Sequence, residues 1–404
     1  MRIFLHTKTT VSSAPARAQR RNSPLALAAV LLPVLIACAP IPPAAEKAQA
    51  EPPAVSTGGS TTLQAAGGGA AGRTAASPSP ASRDGAYVNF ADWPEVSTFL
   101  DEMVAKHGFD RPALESLMAQ VRYVDSTVQL MKPAPPGKPK NWAAYRARFI
   151  EPVRINAGIR FWNENSAALA RAEARYGVPA EIIVGIIGVE TVYGRNTGNF
   201  RVLDALTTLA FDYPEAPARV ARMAFFRGEL ENALVYARDN GIDPLSLLGS
   251  YAGAVGLPQF MPSSIIKFGV DFDGDGHVDL RGSPSDAIGS VAHFLTEHGW
   301  KRDMPGPAVY PAAVSSNQAW EPFINQGLSA KLTQDELFSA GVSTAQDLPP
   351  GMLFGLVDLQ NGSEPTEYYL GTDNFFAITQ YNRSYFYAMS VIELGRAVRE
   401  RRKL

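Results

Sequence analysis

The chain has 404 residues, 46% of them hydrophobic and 10% aromatic, enough for a sizeable core and more than one packed unit. A formal net charge of −2 leaves no large basic surface, so electrostatically driven binding to nucleic acid is excluded as an organising function. Cys38 is the sole cysteine, which rules out an intramolecular disulfide and a thiolate metal cluster.

Residues 1–37 read as a targeting segment: Arg17, Arg20 and Arg21 precede the apolar stretch "LALAAVLLPVLIA", which is short for a bilayer and contains Pro33. A membrane anchor helix is the alternative. The stretch ends in "LIAC", which resembles the lipobox of bacterial lipoproteins and implies that Cys38 becomes an acylated amino terminus. Several acyl chains at roughly 0.8 kcal/mol per buried methylene would hold it firmly. Ala39 follows, not the Asp associated with inner-membrane retention, so the resemblance implies the periplasmic face of a Gram-negative outer membrane. From Ala39 to about residue 86 the chain is rich in Ala, Pro, Gly, Ser and Thr, with no aromatic residue before Tyr87. It cannot bury enough apolar surface to fold. As a flexible tether it would reach about 40 Å.

Beyond Tyr87 helical spacing dominates in "VSTFLDEMVAKHG", "ALESLMAQVRYV", "SAALARAEARYG" and "ARMAFFRGELENALVYARDNG", and Gly108, Gly177 and Gly241 stand where helices stop. In "EIIVGIIGVETVYGRNTG" Pro179 suits the first helical turn, and apolar residues on every side predict a helix buried all round. Glu190 sits on that helix with Ile187, Ile186 and Ile183 on its own face. Lost hydration raises the pKa of such a carboxyl and suits a general acid. The alternative is a structural pairing with Arg195.

The loop "DFDGDGHVD" fits the opening of an EF-hand calcium site: Asp271, Asp273 and Asp275 at positions 1, 3 and 5, Gly276 for the turn, and the backbone carbonyl of His277. Position 12 is Gly282 and cannot close it. An acidic solvated turn is the alternative. Between residues 308 and 380 "MLFGLVDLQ" and "EYYLGTDNFFAITQY" predict strands, the second bent at "GTDN". "YFYAMSVIELGRAVRERRKL" returns to helical spacing with a basic end. The five histidines form no two-histidine zinc motif, and "LGSYAG" lacks the G-x-S-x-G elbow of serine esterases.

"GVETVYGRNTG" and "LGSYAGAVGLPQFMPSS" closely resemble the membrane-bound B-type lytic murein transglycosylases. So do "RFIEPVRINAGIRFW", "DAIGSVAHFLTEHGW" and "ITQYNRSYFYAMSV". The resemblance implies a mainly α fold with a small β element: a lysozyme-like core near 150–300 with an added α region, an inserted β region near 308–380 and a final helix near 385–402. It implies that Glu190 is the single acid/base cleaving the glycan of peptidoglycan, with Ser250, Gln259, Tyr145, Tyr381, Asn382 and Arg222 lining the cleft. Ser250 also reads as a turn residue, Arg222 as a solvated helix face, and Phe260 and Met261 as core. The loop would be closed by Asp286, with Asp279 also available, around one structural Ca2+; no organic cofactor is expected. Phe294 stands where relatives tend to carry Tyr. Glycan strands, the outer membrane through the anchor, and cell-wall synthesis or divisome proteins are the implied partners. A true hydrolase and a non-catalytic glycan-binding lipoprotein are the competing readings.

Overall fold

The computed structural model describes residues 89–133 and 139–403; the expected targeting segment, Cys38 and the tether lie outside them. Helices dominate. Pro94–His107 buries Val96, Phe99, Leu100 and Met103, spaced as one helical face, and stops at Gly108 in the left-handed region (φ 67°). Ser166–Tyr176 ends the same way at Gly177 (φ 71°), and Arg219–Asp239 is followed by Gly241 (φ 65°).

The helix expected over "ALESLMAQVRYV" is shorter than its pattern: it spans Arg111–Met118. Past it the Arg122 N–H donates to Asp204 Oδ1 (3.0 Å) and the Val124 N–H to Thr208 Oγ1 (3.1 Å). These acceptors on the buried helix Val202–Phe211 hold the chain extended while Val121 still packs inward.

The helix around the glutamate spans Ala180–Thr191, with Pro179 one residue before its first turn. Every residue from Ile182 to Val189 is buried. It crosses the last helix, Tyr385–Arg402, at very short range. A Cβ on Gly185 would stand 2.2 Å from the Val391 carbonyl oxygen, and one on Gly395 2.0 Å from that of Glu181. Only glycine at both places lets the backbones meet, and Arg399 closes the far end on Glu181 at 2.5 Å.

Strands Val342–Ser343, Val309–Val314, Glu364–Gly371 and Gly355–Asn361 form an antiparallel sheet in that spatial order. The sheet has a core of its own, including Tyr310, Trp320, Leu337, Phe354 and Leu370. A two-residue ladder pairs Phe200–Arg201 with Leu248–Gly249 and brings the glycine-rich stretch beside the chain leaving the glutamate helix. The second predicted strand is corrected: it ends at Gly371, and Asp373–Thr379 is a helix. Asn374 accepts the Lys301 N–H through Oδ1 (2.7 Å) and donates to its carbonyl through Nδ2 (3.0 Å), while Phe375, Phe376 and Ile378 are buried together. Tertiary burial overrides the β preference of the aromatic run.

Gly185→Ala is expected to lower stability by about 2 kcal/mol, the range of an overpacked core. Urea unfolding measures it, and an unchanged midpoint would contradict the close crossing.

Candidate active site

Glu190 is the penultimate residue of its helix, where the buried apolar body meets the surface. Burial pushes its carboxyl up from 4.5 to about 7, against the opposing effects of a Tyr387 hydrogen bond and the Arg154 charge. Tyr387, itself buried, donates its hydroxyl to Glu190 Oε1 at 2.7 Å. Arg154 donates through Nη1 to the carbonyls of Gly188 (3.1 Å) and Val189 (3.3 Å). A cation thus satisfies the last-turn acceptors beside the acid. Arg195 is exposed and forms no ion pair with Glu190, so the structural pairing is not what holds this side chain.

After Thr191 the backbone turns through two non-glycine residues in the left-handed region, Val192 (φ 52°) and Tyr193 (φ 59°). For a β-branched residue this conformation stores strain, as at many functional sites. Thr191 secures it: Oγ1 donates to the Leu257 carbonyl (2.9 Å) and accepts the Gly194 N–H (3.1 Å). The acid's exit is thereby fastened to the second characteristic stretch.

Three phenols surround the carboxyl. Tyr381 stacks on Tyr387 with centroids 6.1 Å apart and planes at 13°, and its hydroxyl donates to the Pro258 carbonyl at 2.5 Å. Burial, and then the charge of Glu190, raises Tyr381 and Tyr387 well above the ordinary phenol value and pushes Tyr145 up to about 12, with Arg148 opposing in the last case. Each phenol therefore stays protonated and able to donate. Among the described residues no second carboxylate acts on Glu190: Asp204 is paired with Arg201 at 2.7 Å, and Asp212 accepts the Tyr123 hydroxyl at 2.8 Å.

The site is one carboxyl raised by burial and walled by phenols. The family described as Transglycosylase SLT domain matches residues 91–396. The chain belongs to that family. Membrane-bound lytic murein transglycosylase B of Escherichia coli (strain K12) is 45% identical over 318 residues, covering 77% of this chain and 84% of that protein. The soluble lytic transglycosylase SltB1 from Pseudomonas aeruginosa superposes with a TM-score of 0.69 at 44% identity, over 77% of this chain and all of that one. The Escherichia coli lytic transglycosylase SLT35 in complex with calcium matches with a TM-score of 0.69 at 43% identity, over 78% and 96%. No helix among the described residues is long and apolar enough to cross a membrane.

In this transglycosylase the other expected residues divide. Asn382, next to Tyr381, has a buried Oδ1 with no partner among the described residues, an acceptor left open. Ser250 Oγ accepts the N–H groups of Ala252 (3.3 Å) and Ala254 (3.1 Å), the turn-holding alternative. Gln259, at φ 51°, donates Nε2 to the Gly256 carbonyl (2.9 Å) and the Thr197 carbonyl (3.3 Å) and so ties down its own loop. Arg222 is half-buried on the long helix and is not linked to the Glu190 cluster by any hydrogen bond or ion pair among the described residues. Phe260 and Met261 are core. Phe294 packs between Tyr381 (4.8 Å) and His298 (3.9 Å), supporting the wall from behind without a hydroxyl. Tyr387 and Arg154 were missed by sequence reasoning. Tyr387 lies 197 residues from its partner, and no local pattern distinguishes it from the neighbouring Tyr385.

Of the five expected carboxylates of the acidic loop three come together: Asp271, Asp273 and Asp286 place carboxylate oxygens within 4.8 Å of one another. Asp286 is buried; its Oδ1 takes the Phe272 N–H (2.8 Å) and its Oδ2 the Asp279 N–H (2.8 Å). Asp271 is held below the usual carboxylate range by the Gly276 N–H above all, then by those of Gly274 and Asp275. Asp275 instead accepts the His277 N–H (2.9 Å), and Asp279 those of Arg281 (2.9 Å) and Gly282 (2.7 Å). Asp286 thus ties the two ends of the loop together through backbone N–H groups, and the trio offers hard oxygen donors of the kind a calcium ion takes.

Because the folded pKa of Glu190 lies above its ordinary value, its contribution to stability is present below pH 4.5 and is lost as pH rises through about 7. Glu190→Gln removes that loss. The melting-temperature advantage of the variant over the parent should grow between pH 4.5 and pH 7.5, and a constant difference across that window would contradict the burial.

Proposed function

We propose that the chain is a peptidoglycan lytic transglycosylase that cleaves the β-1,4 bond between N-acetylmuramic acid and N-acetylglucosamine with Glu190 as its one acid/base. The observation that carries this reading is a carboxyl at the end of a buried apolar helix, raised by burial to about 7, with no second carboxylate acting on it among the described residues. Ordinary glycosidases divide the work between two carboxyl groups, one to protonate the leaving oxygen and one to act as base or nucleophile. Here one group serves twice. Protonated Glu190 gives its proton to the glycosidic oxygen as the bond from the anomeric carbon breaks. The resulting carboxylate then takes the proton of the muramoyl 6-hydroxyl, whose oxygen bonds to the same carbon. The 1,6-anhydro product forms with no water consumed, so atoms and charge balance within the substrate. The substrate's own N-acetyl group stabilises the positive charge that develops at the anomeric carbon.

Tyr387 and Arg154 stabilise the carboxylate stage of this cycle, and burial stabilises the protonated stage. Tyr145 offers a phenolic donor to the sugars, Tyr381, whose hydroxyl hydrogen is held by the Pro258 carbonyl, offers its ring and its phenolic oxygen, and Asn382 an acceptor, with Gln259 and Ser250 shaping the loop beside them. Asp271, Asp273 and Asp286 hold a structural calcium ion. The acylated Cys38 anchors the enzyme at the outer membrane and the tether sets its working range in the periplasm.

Digestion of purified glycan strands tests the reaction. The parent protein should release ends lighter by one water than hydrolysis products, and incorporation of heavy-oxygen water would identify a hydrolase instead. Glu190→Gln should slow cleavage by about a thousandfold or more while leaving strand binding largely intact; an unchanged rate would reject the assignment. In Tyr387→Phe the loss of a hydrogen bond to the carboxylate should move the alkaline limb of the pH–rate profile upward. Added calcium should raise the melting temperature of the parent and fail to do so in Asp271→Ala and Asp273→Ala, by linkage. Equal melting with calcium and with chelator would argue against the site.

A further inference from the structure

Tyr145 sits on a helix of five residues, Trp142–Arg146. A single turn cannot hold itself in place, because helix nucleation is unfavourable. Its position is therefore set from outside, and the first turn shows how. The Ala144 N–H is capped locally by Asn141 Oδ1 (2.8 Å), but the Ala143 N–H donates to Asn361 Oδ1 (2.9 Å), 218 residues further along the chain.

Asn361 ends the strand Gly355–Asn361 and pairs with Glu364 across a two-residue turn. The backbone there also bridges to the segment before the helix: Asn141 pairs antiparallel with Asn361, and the Gly362 N–H donates to the Lys140 carbonyl (2.9 Å). Gly362 needs its left-handed φ of 66° for this approach, and a Cβ there would come within 3.1 Å of Asn141 Nδ2. On the helix's other side Trp142 is buried edge-on to Phe386 (5.4 Å), and Arg146 pairs with Glu393.

We infer that Asn361, at the hairpin tip of the β region, is a positioning residue for Tyr145: it caps from outside the single helical turn that carries this phenol to the cleft. The inserted sheet has a core of its own and no other assigned part in the site, so this contact gives it a role in catalysis. The inference rests on the proposed reading of Glu190 and Tyr145.

Rates on soluble glycan strands for the parent, Asn361→Ala, Asn361→Asp, Tyr145→Phe and the Asn361→Ala/Tyr145→Phe double variant test it. Asn361→Ala should lower kcat/KM by about three- to tenfold, the range of one net hydrogen bond. Asn361→Asp keeps the acceptor oxygen and should restore the rate to within about twofold of the parent. The double variant should be no slower than the slower single one, since both changes act through one phenol. Independent multiplication of the losses, a silent Tyr145→Phe, an indifferent Asn361→Ala or a failed rescue by Asp would each overturn the inference. Failure of the underlying reading looks different: Glu190→Gln would then still cleave.

Discussion

Removing one carboxyl from water at the end of an apolar helix is the interaction on which the rest of this molecule depends. A rise from 4.5 to about 7 corresponds to about 3 kcal/mol favouring the protonated form. Because that is what remains after the Tyr387 hydrogen bond and the Arg154 charge have acted in the opposite direction, desolvation is the dominant effect. The surrounding architecture serves to create it. The glycine crossing at Gly185 and Gly395 brings the last helix against the glutamate helix, and the same contact delivers Tyr387 to Glu190. The left-handed turn at Val192 and Tyr193, secured by Thr191, ends the helix just past the acid and sends the chain toward the glycine-rich loop.

The opposing groups matter as much as the burial. A carboxyl sealed in hydrocarbon alone would hold its proton too tightly to release it and take another. A buried phenol at 2.7 Å and a guanidinium against the preceding carbonyls keep both protonation states within reach at neutral pH. Tyr145, Tyr381 and Tyr387, all raised by burial and by the acid itself, remain donors throughout. The arrangement supports the proposal that Glu190 acts as the one acid/base.

Much of this was legible in the chain. An apolar run with one carboxylate at its end predicts a buried helix and a raised pKa from local composition, and the helices with glycine stops follow from periodicity. Three features were not. "NFFAIT" has the aromatic content of a strand, and only its burial under Lys301 and the last helix makes it helical. The Arg111–Met118 helix stops early because acceptors on a distant helix capture the backbone beyond it. Tyr387 and Asn361 act on partners about two hundred residues away, and no spacing rule within one segment reports such pairs. The resemblance supplied the candidate cleft residues that local rules cannot reach. The structure then separates those near the acid, Tyr145 and Tyr381, from Ser250, whose side chain holds a turn.

The most direct measurement is a site-resolved titration of the Glu190 carboxyl, for example by carbon NMR of the labelled side chain, with Glu190→Gln assigning the resonance. The account predicts a midpoint near 7. A midpoint at the ordinary glutamate value near 4.5 would contradict it, because the carboxyl would then be hydrated and unable to hold its proton for the reaction.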